Sequence, residues 1–261
     1  MTGESASFAA HATSFGGAAS TYERGRPPYP PEALDWLLPP GARRVLDLGA
    51  GTGKLTRELV ARGLDVVAVE PLEGMRQELS RVLPGTPVLD GSAEHLPLPD
   101  GSVDAVLAAQ AWHWVTPERA APEVARVLRP GGQLGLVWNE RDDREPWVAE
   151  LNGIVDELGQ RMAAEAMRAG NDHDNPRVGP PFGPLELHQV RWAHQTSVSE
   201  VVDMIASRSY VILLPPEQRD RLLAAVRHLL ETHPALAGQT GVALPYVTWC
   251  WRTRRPSAGP G

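Results

Sequence analysis

The sequence has little cysteine, and its single residue of this type, Cys250, cannot form an internal disulfide. No residues with metal-ligand spacing surround it, so we expect Cys250 to be a small buried side chain of a strand. No apolar run approaches the roughly 20 residues that a membrane-spanning helix requires. Residues 1–20 lack both the basic start and the apolar core of a signal peptide. These absences predict a cytoplasmic protein without a membrane segment.

Basic residues are also too few to attract a polyanion. The formal net charge is -7, the isoelectric point is near 5.6, and the one local basic run lies at residues 252–255. Nucleic acid is therefore disfavoured as a partner. Hydrophobic residues make up 42% of the chain and charged residues 22%, which is typical of a globular domain and excludes a disordered or fibrous chain.

In the first half of the chain, short apolar runs alternate with helical patterns. Continuous apolar strands between helices are typical of a parallel sheet that is covered on both faces. We expect Pro122 to kink the fourth helix or to delay its start. We expect residues 129–132 to form an irregular segment before the fifth strand. The pattern predicts strands at 43–48, 65–70, 88–89, 103–109 and 133–139, and helices at 32–38, 53–62, 72–83 and 116–128.

Beyond Asn139 the rhythm of the sequence changes. The capping box Ser197-x-x-Glu200 begins a helix, because each of the two side chains satisfies a backbone N–H group of the other residue. The two late strands are expected to form an antiparallel edge of the sheet, with a helical insertion at about 197–232 between them. The remaining predicted elements are a helix at 145–168, an irregular stretch at 170–184, a strand at 185–195, a helix at 216–232 and a strand at 242–252.

The most informative segment is Asp47-Leu48-Gly49-Ala50-Gly51-Thr52-Gly53, in which a strand runs directly into a glycine loop and then a helix. Glycine at alternate positions lets the backbone turn tightly and approach a ligand, because no Cβ is in the way. A dinucleotide-binding loop needs glycine at position 54, where the chain has Lys54. A P-loop needs Ser or Thr after that lysine, where the chain has Leu55. Both phosphate-binding motifs are therefore excluded.

Two acidic residues accompany the loop. Asp47 stands next to it, where a carboxylate would repel a pyrophosphate but suits a ligand that carries an ammonium group and a sulfonium. Glu70 ends the second strand, where a carboxylate can accept hydrogen bonds from both ribose hydroxyls of an adenosine. An adenosine joined to a cationic amino acid is the structure of S-adenosylmethionine.

Together these residues resemble the class I S-adenosylmethionine-dependent methyltransferases of the small-molecule type, over roughly residues 22–139. The glycine loop matches the first motif of that family, and Glu70 matches its ribose-binding acid. Residues 91–104 are similar to the stretch before its fourth strand, and residues 128–132 to the turn before its fifth. The resemblance implies an α/β fold with a Rossmann-like, doubly wound seven-stranded sheet whose last strand is antiparallel.

The same resemblance implies which residues bind the cofactor. Many relatives carry Asp at the position of Ser92, and that acid accepts a hydrogen bond from the adenine amino group. Ser92 would do so through its hydroxyl, and Glu94 is an alternative acceptor. The cofactor-binding residues that we expect are Asp47, Gly49, Ala50, Gly51, Gly53, Glu70, Ser92, Ala93 and Gln110.

The segment Tyr22–Pro30 is similar to a lid found in part of this family. We expect Arg26 to bind the carboxylate of the cofactor as a bidentate pair, and Tyr22 to cover its sulfonium side. The predicted organisation is a lid segment at 1–40 and a methyltransferase domain at 41–261 that includes the helical insertion.

The segment after the fourth strand, Gln110-Ala111-Trp112-His113-Trp114, is expected to line the reacting centre, because ligands of doubly wound sheets lie beyond the carboxyl ends of the strands. His113 is the candidate catalytic base, which is needed when the acceptor must lose a proton. The alternative is that His113 is a hydrogen-bonded scaffold residue and that both tryptophans pack in the core. Methyl transfer from a sulfonium requires no metal, and we expect no metal site.

These features predict an enzyme that transfers a methyl group from S-adenosylmethionine to an oxygen, nitrogen or carbon of a small-molecule metabolite. One alternative is a tRNA or protein methyltransferase, which the acidic charge balance disfavours. Another is a catalytically silent subunit that binds S-adenosylmethionine, and a hydride-transfer enzyme is the rival of similar fold. The acceptor, the methylated atom and the oligomeric state stay open at this point.

Overall fold

A computed structural model describes residues 27–155, 173–212 and 214–257 of the chain. Its strands form a seven-stranded sheet in the order β3-β2-β1-β4-β5-β7-β6. Strands β1 to β5 pair in parallel and β7 is antiparallel, so the predicted Rossmann-like, doubly wound sheet is confirmed. The strands are β1 (Arg44–Leu48), β2 (Asp65–Val69), β3 (Val88–Leu89), β4 (Val103–Ala109), β5 (Leu128–Arg141), β6 (Glu186–Thr196) and β7 (Val242–Arg254).

Helices alternate with the parallel strands as the sequence predicts. None of the helices in the described ranges is both long and apolar enough to cross a membrane. Short 3-10 turns lie at Trp112–Trp114 and Pro234–Leu236. The helices are α1 (Pro31–Leu37), α2 (Lys54–Ala61), α3 (Glu73–Val82), α4 (Pro117–Val127), α5 (residues 146–155, as far as it is described), α6 (Val198–Ala206), α7 (Ser209–Ile212) and α8 (Pro216–Thr232).

The strand order creates a switch point between β1 and β4. From β1 the chain proceeds outward through β2 to β3, and then returns to the other side of β1 to form β4 and β5. The connections that leave β1 and β4 therefore diverge, and in such sheets ligands bind in the crevice between them. The glycine loop follows β1, and the segment Gln110–Trp114 follows β4, so both candidate segments lie at this point.

Both faces of the parallel sheet are buried, which explains why its strands read as continuous apolar runs. Successive side chains of a strand point to opposite faces. In β1, Val45 belongs to one core cluster with Leu34 of α1, whereas Leu46 belongs to another with Val124 of α4. Cys250 of β7 is fully buried in the first of these clusters, as expected, and burial raises the pKa of its thiol to about 12.

The predicted irregular segment before the fifth strand is wrong. β5 begins at Leu128, which pairs with Val103, and the next pair in the register is Ala105 with Gln133. The four residues 129–132 therefore lie opposite the single Asp104, so β5 has three extra residues here and bulges out of the ladder. Their proline and glycines are typical of a turn, but pairing with β4 on both sides keeps the segment in the sheet.

Of the two effects expected of Pro122, a kink or a later start of the fourth helix, the later start is wrong and the kink stays a prediction. α4 begins at Pro117, a position that favours proline, and continues through Pro122. Proline inside a helix removes one backbone hydrogen bond. Here the helix buries a continuous apolar face that includes Ala121, Val124 and Ala125, and this burial opposes the cost.

The described residues fall into two compact units. The first unit contains the parallel strands and both candidate segments of the site. The predicted lid at 1–40 and domain at 41–261 stay predictions, because residues 1–26 lie outside the described part. The first unit consists of residues 28–139, 173–190 and 248–257, and the second of residues 27, 140–155, 191–212 and 214–247.

The second unit contains the predicted helical insertion. Its capping box is formed, because the Ser197 N–H donates to Glu200 Oε2 at 2.8 Å and the Glu200 N–H donates to Ser197 Oγ at 3.2 Å. Met204 and Ile205 of α6 are buried in the core of this unit. Both side chains therefore pack within the unit.

Candidate active site

The glycine loop between β1 and α2 has left-handed backbone conformations at all three glycines. The φ angles of Gly49, Gly51 and Gly53 are +69°, +57° and +93°. A Cβ on Gly49 would come within 2.7 Å of the Cβ of Ala111, whereas a Cβ on Gly51 would meet nothing within 4 Å. Glycine at position 49 thus allows the loop to lie against the turn after β4, and Gly51 leaves open space above the loop.

Ala50 fixes the loop to the sheet. Its N–H and that of Gly49 both donate to the carbonyl of Val69, the last residue of β2, at 3.2 and 2.8 Å. The carbonyl of Ala50 accepts the Gly53 N–H at 2.9 Å. The Ala50 side chain is mostly buried and packs with Leu79. Backbone hydrogen bonds to β2 and within the loop therefore determine its shape.

Glu70 follows β2 and reaches the glycine loop. Its Oε2 accepts the N–H of Gly51 at 2.9 Å, and its Oε1 accepts the N–H of Leu72 at 3.0 Å. The side chain is 5% exposed, and burial raises its pKa although the two N–H donors lower it. Each carboxylate oxygen can accept a second hydrogen bond, so these contacts leave acceptor capacity for a ligand.

Asp47 lies in β1 beneath the loop and is fully buried. Its Oδ2 accepts the hydroxyl of Thr56 at 2.6 Å, and its Oδ1 makes no hydrogen bond with the described residues. Burial raises the pKa of Asp47 to about 7, and the negative charge of Glu70 adds to the effect while Thr56 opposes it. A buried carboxyl group with an unpaired oxygen is costly unless a donor or a cation approaches it.

Ser92 and Ala93 form a tight turn after β3. The Ser92 N–H donates to the carbonyl of His95 at 3.2 Å, and the His95 N–H donates back at 3.0 Å. Ala93 is buried in the core. Glu94 Oε1 accepts the N–H of Thr116 at the start of α4, at 2.8 Å, and its carboxylate, like that of Glu70, keeps acceptor capacity, so Glu94 stays an alternative acceptor. The adenine-binding role of Ser92 stays a prediction.

Gln110 begins the segment after β4 with a left-handed backbone, at a φ of +54°. This conformation costs energy for a residue with a Cβ, and such residues are typical of functional turns. Its N–H donates to the carbonyl of Val137 at 2.9 Å, and its Nε2 donates to the carbonyl of Asn139 at 3.1 Å. Both bonds tie the turn to the end of β5.

The three residues of the 3-10 turn have different environments. Trp112 is fully buried and its Nε1 donates to the carbonyl of Arg177 at 2.8 Å, which is the core role that we gave as an alternative. Trp114 is 61% exposed, with its ring centroid 4.8 Å from that of His113. His113 Nδ1 accepts the indole N–H of Trp138 at 3.3 Å. Because an indole can only donate, this bond assigns the ring proton of neutral His113 to Nε2.

Two partners of the site were not predicted from the sequence. Thr56 holds Asp47 from the first turn of α2, and Trp138 holds His113 from the end of β5. A signal for the second was present, because β5 is parallel to β4 and the carboxyl ends of parallel neighbours meet at one edge of a sheet. The predicted residues Tyr22 and Arg26 lie outside the described residues.

Comparisons with known proteins identify the family of the chain. A family model described as "Methyltransferase domain" matches residues 46–136, the part that carries the glycine loop, Glu70 and the segment after β4. An uncharacterized methyltransferase of Mycobacterium tuberculosis is 57% identical over 239 residues, which cover 92% of this chain and 94% of the relative. An uncharacterized methyltransferase-like protein of Schizosaccharomyces pombe is 33% identical over 242 residues, covering 91% and 93%.

Among solved structures, one from Anaeromyxobacter dehalogenans, provisionally named a type II methyltransferase, matches with a TM-score of 0.62 and 27% identity. The match covers 89% of this chain and 99% of that structure. The α/β sheet, the glycine loop and these matches define a Rossmann-like enzyme. The chain belongs to the methyltransferase family.

The buried carboxyl group predicts how stability depends on pH. The pKa of Asp47 rises from 3.8 to about 7 in the folded protein, so between these values the folded protein holds a proton that the unfolded chain has released. Its contribution therefore lowers the free energy of unfolding as pH rises through this window, by at most about 1.4 kcal/mol per pH unit. Asp47→Asn cannot ionise and should remove this part of the slope.

Urea unfolding at about pH 5 and about pH 8 measures the effect. Asp143→Asn, which changes an exposed carboxylate, is the matched control. We expect the stability difference between the two pH values to shrink in Asp47→Asn and to persist in the control. Equal pH dependence in the wild type and both variants would show that Asp47 has no raised pKa.

Proposed function

We propose that the protein transfers a methyl group from S-adenosylmethionine to a small-molecule acceptor in the cytoplasm. The observation that carries the proposal is the hydrogen bond from the Gly51 N–H to Glu70, which joins the loop after β1 to the acid after β2. This arrangement brings a carboxylate for two ribose hydroxyls beside a backbone without a Cβ. It suits an adenosyl group that lies across the ends of β1 and β2.

The charges at the loop favour a cationic ligand over a dinucleotide. Asp47 is fully buried and Glu70 mostly buried, and burial raises the pKa of both carboxyl groups. The negative charge of Glu70 raises the pKa of Asp47 further. A pyrophosphate here would add negative charge to two carboxyl groups in a medium of low dielectric constant. S-adenosylmethionine, when bound, supplies an electrophilic methyl group on a sulfonium. Its positive charges would instead lower the cost of ionising Asp47.

The acceptor side is assigned to the turn after β4. The exposed indole of Trp114 and the imidazole of His113 form an aromatic surface there, and an indole face attracts a cation. A surface made of two aromatic side chains suits a small molecule. The net charge of -7 gives no attraction to a nucleic acid.

Positioning is the main source of rate in this proposal. The Nδ1 of His113, the nitrogen that would take a proton from the acceptor, already accepts the N–H of Trp138. A sulfonium is a good leaving group, so holding acceptor and methyl group in line supplies much of the acceleration. We therefore assign His113 to shaping the acceptor site.

Calorimetric titration tests the cofactor. We expect binding of S-adenosylmethionine and of its demethylated product, and no binding of NAD. A screen of metabolites with labelled S-adenosylmethionine then tests for turnover. Binding of NAD without response to either sulfur compound contradicts the proposal, and cofactor binding without turnover on any metabolite, tRNA or protein favours a silent subunit.

Variants of His113 test whether it acts as a base. Gln at this position can accept the N–H of Trp138 but cannot take up a proton at neutral pH. We expect His113→Gln to keep turnover within roughly tenfold of the wild type, whereas loss of a general base costs roughly 10² to 10⁴. The measurement is kcat with the acceptor found in the screen.

Trp138→Phe is the matched control, because it removes the N–H that His113 accepts and leaves the imidazole present. A scaffold role predicts that Trp138→Phe and His113→Ala have similar, modest effects on kcat. A loss of a hundredfold or more in His113→Gln, with Trp138→Phe close to the wild type, would restore the base assignment.

A further inference from the structure

The side chain of Asn139, near the end of β5, joins two distant parts of the first unit. It is 8% exposed. Its Nδ2 donates to the carbonyl of Pro28 at 3.0 Å, and its Oδ1 accepts the hydroxyl of Thr248 in β7 at 2.6 Å. A buried amide with both ends satisfied is held in one orientation, so Asn139 is a rigid connection between Pro28 and the sheet.

The backbone of the same residue holds the turn after β4. The Asn139 carbonyl accepts Nε2 of Gln110, the residue with the left-handed backbone. The next residue, Ala111, leaves no room for a Cβ on Gly49. A continuous series of contacts therefore runs from Asn139 through the turn to the glycine loop. A shift of the turn after β4 would move Ala111, against which the glycine loop lies.

Tyr29, which follows Pro28, is held from a second side. The Tyr29 N–H donates to Oε1 of Glu58 at 3.0 Å, and Glu58 belongs to α2, the helix that begins at the glycine loop. The Tyr29 side chain is mostly buried in the core. Pro28 and Tyr29 are thus fixed between the end of β5 and the helix of the cofactor loop.

We propose that Asn139 is a positioning residue of the methyl-transfer site. Its side chain fixes Pro28, and its backbone carbonyl fixes the turn at Gln110, relative to the glycine loop. The proposal rests on the proposed function, because it assigns Asn139 a part in arranging the cofactor site. Asn139 does not act on the reacting atoms. It holds Pro28 and the turn after β4 in place relative to each other.

Two variants separate this role from ordinary structural support. Asn139→Ala removes the donor to Pro28 and the acceptor for Thr248. Thr248→Val removes only the hydroxyl, so it breaks the bond to the strand and keeps the bond to Pro28. Both leave a cavity or an unpaired group in the same place, and both are expected to lower stability. Only the first releases Pro28, and neither variant removes the Asn139 carbonyl that accepts Nε2 of Gln110.

Hydrogen exchange of the Tyr29 amide reports on the anchor without cofactor. Residues 27–31 read Pro-Pro-Tyr-Pro-Pro, so Tyr29 supplies the one amide proton of this stretch. We expect Asn139→Ala to speed its exchange about tenfold or more, and Thr248→Val to leave it within about twofold. Calorimetry should show a parallel rise of about tenfold in the Kd for S-adenosylmethionine in Asn139→Ala alone.

The results separate the two proposals. The positioning role is overturned if Asn139→Ala leaves both the exchange of the Tyr29 amide and the Kd unchanged, or speeds the exchange without changing the Kd. It is also overturned if Thr248→Val changes the exchange and the Kd as much as Asn139→Ala does. A wild type that binds no S-adenosylmethionine overturns the proposed function, while faster exchange in Asn139→Ala still supports the anchor. If Asn139→Ala does not fold, Asn139→Asp keeps an oxygen for Thr248 and is interpreted by the same criteria.

Discussion

The burial of two carboxyl groups at the ends of adjacent parallel strands is the constraint on which the candidate site depends. Asp47 and Glu70 are both desolvated, and the negative charge of Glu70 repels that of Asp47. Hydrogen bonds offset part of this cost, because the Thr56 hydroxyl donates to Asp47 and two backbone N–H groups donate to Glu70. One oxygen of Asp47 has no hydrogen bond among the described residues. A ligand that brings positive charge relieves this cost, which connects the folding of the loop to the choice of cofactor.

The strand order explains why these acids and the turn after β4 meet. β1 lies between β2 and β4, so the segments after all three strands emerge at one edge of the sheet. Glu70 then reaches the loop from one side, and Ala111 lies against it from the other. Under the proposed function, this placement would help to align the methyl donor with the acceptor, because both segments follow strands of one sheet.

Local patterns predicted the parallel sheet, the glycine loop and the position of Glu70 at the end of β2. Each of these depends on residues close together in sequence and on the buried faces of strands. Contacts between distant residues were not predictable in this way. Gln110 and Asn139 are 29 residues apart, and their bond depends on how β4 and β5 pair. Residues 129–132 show the same limit, since their composition favours a turn and the pairing of the strands overrides it.

We propose that the acids at β1 and β2 hold an adenosyl methyl donor. A crystal structure of the protein with S-adenosylhomocysteine, the demethylated product, would test this directly. We expect both ribose hydroxyls to lie within hydrogen-bond distance of the Glu70 carboxylate, with the ligand backbone over Gly51. Density for the ligand elsewhere, or a ribose that faces away from Glu70, would contradict it.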